Sequence, residues 1–330
     1  MSCRLSYAVE RFATRGEFRI SRSSVSEVVV VTVTLSEDGH QGRGECRPYA
    51  RYGESAETVV DQIRRHARDI CAAPADTRLQ ACRAVPPGAA ANALESAVVD
   101  LLCKRRGLRA WEVLGCPAPS PRTTAFTLSV ASPEAMATAA REASRYPLLK
   151  IKIGAAFAAA QVEAVANARP DARLIVDANE ALDGTGLSRL IAGLPERVAL
   201  IEQPLPDGAH ARLPEAARHG PAICADESLH TSDDLPRLRE AGYRAVNVKL
   251  DKAGGPARAL ELIRSAKKDG FEVMAGCMVG SSLAMAPMIA IAAEADFLDL
   301  DGPLLLAEDR AVTVPYDGPI VGVPPAALWG

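Results

Sequence analysis

Residues 148–202 read LLKIKIGAAFAAAQVEAVANARPDARLIVDANEALDGTGLSRLIAGLPERVALIE, and the rhythm of this stretch decides the fold. A β-like run at Leu148–Ile153 gives way to a helical pattern. A second run follows at Arg173–Val176, then another helical pattern, then a third run at Val198–Ile201. Charged residues close the runs: Lys150 and Lys152, then Asp177, then Glu202. Lys152, Asp177 and Glu202 recur at equal intervals of 25 residues, the length of one βα unit. Further runs precede this stretch at Thr123–Leu128 and follow it at Ala222–Cys224, Ala245–Val248, Phe271–Met274 and Ala295–Leu298. These eight runs predict an α/β chain with a (β/α)-barrel, a modified TIM barrel, over residues 119–311. An open doubly wound sheet fits the pattern too, but no glycine-rich dinucleotide fingerprint follows the first run.

The first third of the chain has a different texture. The β-branched run EVVVVTVTL at Glu27–Leu35 predicts a strand, Glu37-Asp38-Gly39 a turn, and Gly42–Cys46 the partner strand. Ala56–Ala72 has helical spacing with Val59, Ile63 and Ile70 on one face, and Ala89–Lys104 is an alanine-rich second helix. Residues 1–118 therefore form an α+β unit, and the prolines of Cys116–Pro121 punctuate its boundary. Residues 312–330 are expected to return to that unit as a C-terminal segment.

The bulk composition excludes several classes. A chain of 330 residues with 48% hydrophobic residues has material for a large core. A net charge of −3 gives no basic field for nucleic acid or an anionic membrane. The 8 cysteines are scattered, with no C-x-x-C pair, which argues against a zinc cluster or a disulfide framework. The apolar stretch around Leu283–Ala293 is short and contains Pro287, so no membrane span is expected. A soluble protein of a reducing compartment, the cytoplasm, is the expectation.

In a barrel the C-terminal strand ends meet at one mouth. Lys150, Lys152, Asp177, Glu202, Asp226, Lys249, Asp299 and Asp301 all stand at such ends. Asp177, Glu202 and Asp226 on successive strands would repel one another unless a cation lay among them. An all-oxygen set suits a hard ion such as Mg²⁺. Lys152 and Lys249 fall on opposite sides of the ring, with the acidic strands between them. Burial and a neighbouring cation, for which Lys150 is placed, turn a lysine into a base near neutral pH. Two opposed lysines can remove a proton from one face of a carbon and return it on the other. The matching substrate is a carboxylate whose oxygens the metal holds.

At these residues the sequence resembles the enolase superfamily, in the subgroup typified by muconate lactonising enzymes. The resemblance rests on Lys150-Ile-Lys152, Asp177-Ala-Asn179, Glu202-Gln-Pro204, Ala225-Asp226-Glu227-Ser228, and Asn247-Val-Lys249-Leu-Asp251-Lys252 followed by Gly254-Gly255. Lysine-plus-magnesium chemistry is a known pattern of that superfamily. The resemblance implies that residues 1–118 cap the barrel mouth with specificity loops. One branch of the superfamily carries a histidine after the seventh strand; here that position reads Gly276-Cys277-Met278, which disfavours that branch.

Asp299-Leu-Asp301 is similar to the D-x-D of the dipeptide epimerases, which implies that Asp299 and Asp301 bind a substrate α-amino group. Phe18–Arg22 and Pro48–Ser55 resemble the specificity loops of bacterial epimerases acting on L-Ala-D/L-Glu. That likeness implies Arg22 as ligand of a glutamate side chain, with Arg15, Arg19 and Arg51 as neighbouring alternatives. By the same analogy Thr127 and Ser281 contact substrate, while Asn179 orients the metal ligands and Asp251 orients Lys249. The implied activity is magnesium-dependent epimerisation of the C-terminal residue of a dipeptide such as L-Ala-L-Glu, in the recycling of cell-wall peptides. A homo-oligomer fits a barrel of this type. N-acylamino acid racemisation, cycloisomerisation and a catalytically silent scaffold stay open.

Overall fold

The computed structural model describes residues 3–20, 23–208 and 213–330. The N-terminal unit is a three-stranded antiparallel sheet of β1 (Arg4–Ile20), β2 (Ser23–Glu37) and β3 (His40–Cys46). The valines of β2 supply its buried face, with Val31, Val33 and Leu35 fully covered. The β2–β3 turn places Asp38 at φ 50° and Gly39 at φ 80°, the left-handed pair that a tight hairpin uses. Two helices cover the sheet. Ser55 and Thr58 form a capping box at the start of Ala56–Ala72, which buries Val59, Val60, Ile63 and Ile70. The alanine-rich helix Ala89–Arg106 lies directly on β3. A Cβ at Gly44 would sit 2.1 Å from the Ala93 carbonyl oxygen, so only glycine permits this approach.

The second unit is a (β/α)-barrel of β5 (Phe126–Leu128), β6 (Leu148–Lys152), β7 (Arg173–Asp177), β8 (Val198–Glu202), β9 (Ala222–Ala225), β10 (Ala245–Lys249), β11 (Glu272–Gly276) and β12 (Phe297–Asp299). The eight strands pair in chain order, all parallel. The Ala125 amide closes the ring by donating to the Leu298 carbonyl at 2.8 Å. Inward-facing Ala125, Leu148, Ile175, Leu200, Cys224 and Met274 fill the floor beneath the mouth. Outside the ring, helices such as Ala158–Ala168 and Pro256–Lys268 bury one apolar face on the strands. Among the described residues, a short 3₁₀ turn at Glu215–Arg218 stands between β8 and β9.

The run Thr123–Leu128, read above as one strand, is two. β4 (Arg122–Thr123) leaves the barrel to pair with β14 (Ile320–Val321), itself a hairpin partner of β13 (Tyr316–Asp317). Only β5 enters the ring. The division falls at Thr124 and Ala125, which turn to β12: Thr124 Oγ1 accepts the Leu300 amide at 2.8 Å. The tail then reaches the helix Ala89–Arg106, where Trp329 Nε1 donates to the Ser96 carbonyl at 3.1 Å and the Gly330 amide to Asp100 at 2.9 Å. No described helix is long and apolar enough to cross a membrane.

Candidate active site

The strand register assembles the site. Lys152 pairs with Asp177, and Asp177 with Glu202, while Glu202 lies beside Cys224, two residues before Asp226. Lys249 stands beside Gly276, and Gly276 beside Asp299. Parallel pairing in one register thus brings residues far apart in sequence to one level of the mouth. β6 and β10, which carry Lys152 and Lys249, are four strands apart in the ring of eight, so their lysines face each other.

All of these groups are buried, and they neutralise one another. Lys150 is 2% exposed; its Nζ lies 2.6 Å from Asp299, 2.7 Å from Glu202 and 3.2 Å from Asp177. Lys152 Nζ donates to Asp177 at 2.5 Å, and Lys249 Nζ to Asp226 at 2.7 Å. Burial opposes ionisation of Asp177, but Lys152 and Lys150 outweigh it and bring its pKa down to about 2. Lys249 and Lys252 likewise overcome burial and hold Asp226 well below the usual carboxylate range. Glu202 goes the other way: burial and the charge of Asp177 push it up to about 8. Glu202 Oε2 nonetheless faces the Lys150 ammonium at 2.7 Å. Burial lowers the pKa of Lys249, and the charge of Asp226 more than restores it. Removing one member of such a buried pair costs about 3–5 kcal/mol, because its partner is left charged and dry.

The backbone around the ring is strained where the side chains must turn inward. Asn179 at φ 42°, Glu180 at φ 69° and Gln203 at φ 33° follow β7 and β8 directly. The Asn179 amide donates to Asp177 Oδ1 at 2.9 Å, which orients that carboxylate. Gln203 braces the next loop, its Oε1 accepting the amides of Asp226 at 2.9 Å and Ser228 at 3.2 Å. Asn247 donates to Glu202 Oε1 at 2.8 Å. A Cβ at position 276 would overlap Asn247 Oδ1 at 2.2 Å, so Gly276 makes room for that contact.

Lys152, Lys249, Asp226, Asn179, Thr127, Lys150, Asp299 and Asp301 all border one cleft between the barrel mouth and the capping unit. Asp177 and Glu202 lie beneath it, fully covered. Asp301 accepts the Thr127 amide at 2.6 Å, and burial with the charge of Asp299 raises it to about 7. Arg22 lies outside the described residues. Two assignments change. Ser281 does not reach the cleft: it is fully buried, its hydroxyl and amide both donate to Glu45, and it caps the helix Ser282–Ile291. Asp251 does not orient Lys249. It accepts Asn92 Nδ2 at 2.8 Å and the Arg47 amide at 3.2 Å, so it ties the capping unit to the barrel.

Lys252 carries no role in the sequence reading, yet its ammonium meets Asp226 Oδ1 at 2.7 Å and the Asn247 carbonyl at 3.0 Å. Its spacing of three from Lys249 on a helical start was the available signal. The cations proposed as alternatives to Arg22 are engaged elsewhere: Arg15 Nε with the Leu306 carbonyl at 2.7 Å, Arg19 with Glu17, and Arg51 with Glu180 through two bonds of 2.8 and 2.7 Å.

Residues 134–310 match the model of the enolase C-terminal domain-like family, and residues 5–115 match the mandelate racemase/muconate lactonizing enzyme N-terminal domain. The chain belongs to the enolase superfamily. Among curated superfamily members, an N-acetyl-D-glutamate racemase from a Pseudoalteromonas species is 39% identical over 91% of this chain and 95% of its own. The L-Ala-D/L-Glu epimerase of Escherichia coli is 40% identical over 88% and 91%. An enolase family member from Agrobacterium tumefaciens with homology to dipeptide epimerases, solved with sodium and L-Ala-L-Glu, is 44% identical. It superposes with a TM-score of 0.93 over 99% of this chain and 100% of that one. This superfamily member is an isomerase, of the epimerase and racemase kind.

Proposed function

We propose that the chain is a magnesium-dependent dipeptide epimerase that inverts the α-carbon of a C-terminal glutamate, interconverting L-Ala-L-Glu and L-Ala-D-Glu. The observation that carries this reading is the pair Lys152 and Lys249, buried on opposing strands with three carboxylate-bearing strands between them. The relative of known structure bound to L-Ala-L-Glu supports the substrate class.

The donor set fits a hard divalent cation. No group of three acids, histidines or cysteines is gathered as a metal cage among the described residues, and each of the three acids meets a lysine. Yet Lys150 shows that a cation suits the spot: one ammonium reaches an oxygen of Asp177 and an oxygen of Glu202 together. Asp177, Glu202 and Asp226 would hold the ion, which supplies positive charge to a substrate carboxylate as its α-proton leaves. Were Asp226 to turn from Lys249 to the ion, burial would disfavour the ammonium form of Lys249 and make it a base. Lys152 would exchange a proton at one face of the α-carbon and Lys249 at the other. Asp299 and Asp301 would receive the dipeptide's ammonium group.

A second reading is racemisation of N-acylated glutamate. It is favoured by the N-acetyl-D-glutamate racemase relative and by internal partners for the acidic pair, Lys150 on Asp299 and the Thr127 amide on Asp301. Proton NMR in D₂O with Mg²⁺ separates the two. Loss of the glutamate α-proton of L-Ala-L-Glu with appearance of L-Ala-D-Glu signals is expected. Exchange of N-acetylglutamate alone would establish the second reading, and exchange of neither would remove both.

A further inference from the structure

We propose that Glu45 is a positioning residue of the reaction: its carboxylate, carried by the capping sheet and clamped by Arg310, holds the barrel loop after β11 that walls the cleft. For its kinetic consequence this rests on the epimerase reading above. The loop spans residues 277–281, and Cys277, Met278 and Val279 line the cleft beside Lys249 and Asp299. It ends at Ser281, which starts the helix Ser282–Ile291.

Glu45 stands on β3 and is 1% exposed. Its Oε1 accepts the Ser281 amide at 2.9 Å, and its Oε2 accepts the Ser281 hydroxyl. Arg310, from the chain after β12, donates to the same Oε2 through Nε at 2.9 Å and through Nη2 at 2.6 Å. That guanidinium also reaches Ser281 Oγ at 2.7 Å, Glu10 Oε2 on β1 at 2.9 Å and Thr32 Oγ1 on β2 at 3.0 Å. One cation thus touches all three strands of the capping sheet and the end of the barrel loop. Beside it, Asp309 accepts the Ser282 amide at 2.9 Å. Charge-assisted bonds of this kind fix direction as well as distance.

The hold at Ser281 is passed along the loop. A Cβ at Gly280 would lie 3.2 Å from Glu45 Oε1 and 3.1 Å from the Ala284 side chain, so the backbone runs close against the carboxylate. A Cβ at Gly302 would lie 3.3 Å from the Gly280 amide nitrogen and from its carbonyl oxygen. Gly302 directly follows Asp301, so the held loop rests on the chain that carries Asp299 and Asp301. Loss of the Glu45 carboxylate leaves the Ser281 amide buried without its acceptor, which drives the loop to move. The pairs of Lys152 with Asp177 and of Lys249 with Asp226 do not involve Glu45. The wall of the cleft therefore loosens while the ring keeps its lysines and acids.

The test begins with Glu45→Leu, which removes the acceptor of Ser281. Hydrogen–deuterium exchange of a peptide spanning residues 277–283, read by mass spectrometry without substrate, is expected to rise roughly tenfold, and that of residues 148–153 to stay within about threefold. On whichever substrate the wild type accepts, KM should rise roughly tenfold with kcat within about threefold, because the loop carries no acid or base of the ring. Glu45→Gln keeps an acceptor for the Ser281 amide and should recover most of both effects. Combining Glu45→Leu with Arg310→Met removes the two buried charges together, so it should regain Tm lost in Glu45→Leu while KM stays raised. Unchanged exchange at 277–283, or a KM that recovers together with Tm, would make Glu45 a stability element only and overturn the proposal. A wild type that turns over neither L-Ala-L-Glu nor N-acetylglutamate removes the epimerase reading alone; the exchange of 277–283 then still upholds or overturns the hold of Glu45 on the loop.

Discussion

The barrel ring and the capping rim carry charge in opposite ways. In the ring each lysine is met by an acid: Lys152 by Asp177 and Lys249 by Asp226 from the neighbouring strand, and Lys150 by Asp299 from β12, on the far side of β5. At the rim Arg51 is met by Glu180 from the barrel, while Arg47 borders the cleft and donates to the Val279 carbonyl. The ring is a set of charges that neutralise one another. Ring and rim belong to two folding units, joined at Asp251, Asn92 and the Arg47 backbone.

The most severe way to break the ring is to remove a lysine. Lys152→Ala and Lys249→Ala are each expected to lower the epimerisation rate by about 10²–10⁴-fold or more, the range for loss of a positioned acid–base group, as read by polarimetry or NMR. Wild-type turnover in either variant would contradict the two-base arrangement. Chelation comes next. Exhaustive treatment with EDTA should abolish measurable turnover, and excess Mg²⁺ should restore it; activity that persists after chelation would show that the acids serve only the lysines.

The rim is expected to respond more gently. Arg51→Gln breaks the bidentate contact to Glu180 that fastens the capping loop to the barrel, and a partly exposed pair of this kind is worth about 1 kcal/mol. KM should rise roughly threefold to fivefold with little change in kcat, in steady-state kinetics on any accepted substrate. An unchanged KM would show that this contact does not hold the loop in its binding position.

The smallest expected effect lies where the two units join behind the site. Glu95, on the capping helix, accepts the amides of Ala257 at 2.7 Å and Arg258 at 3.2 Å, and burial raises its pKa to about 7. A carboxyl whose folded pKa exceeds the unfolded one binds its proton more tightly when folded. Its contribution to stability is therefore greatest below the unfolded value of 4.5 and is lost as pH rises through about 7. Glu95→Gln keeps an acceptor for the two amides and removes this dependence. Relative to wild type the variant should gain about 2–4 °C in Tm between pH 5 and pH 8, measured by calorimetry. A wild-type-minus-variant difference that does not change with pH would contradict the raised pKa.

The ring was legible in the sequence because its logic is local and periodic. Charged residues at six of the eight strand ends need only parallel pairing to converge, and the strands pair in that register. The rim was less legible because its contacts span the chain. Ser281 reads as a cleft residue until Glu45, 236 positions away, is seen to hold its hydroxyl and amide. Asp251 sits two residues after Lys249 and was assigned to it, yet its partner Asn92 is 159 positions distant. The division of Thr123–Leu128 depends on a tail that begins almost 200 residues later.

The two-lysine arrangement is tested most directly by α-proton exchange in D₂O with Lys152→Ala and Lys249→Ala, each given L-Ala-L-Glu and L-Ala-D-Glu separately with Mg²⁺. The expected result is complementary. Each variant exchanges the α-proton of one enantiomer and not the other, the two variants choose opposite enantiomers, and neither interconverts them. Exchange of the same enantiomer by both variants, or of both enantiomers by either one, would contradict opposed lysines on the two faces of the α-carbon.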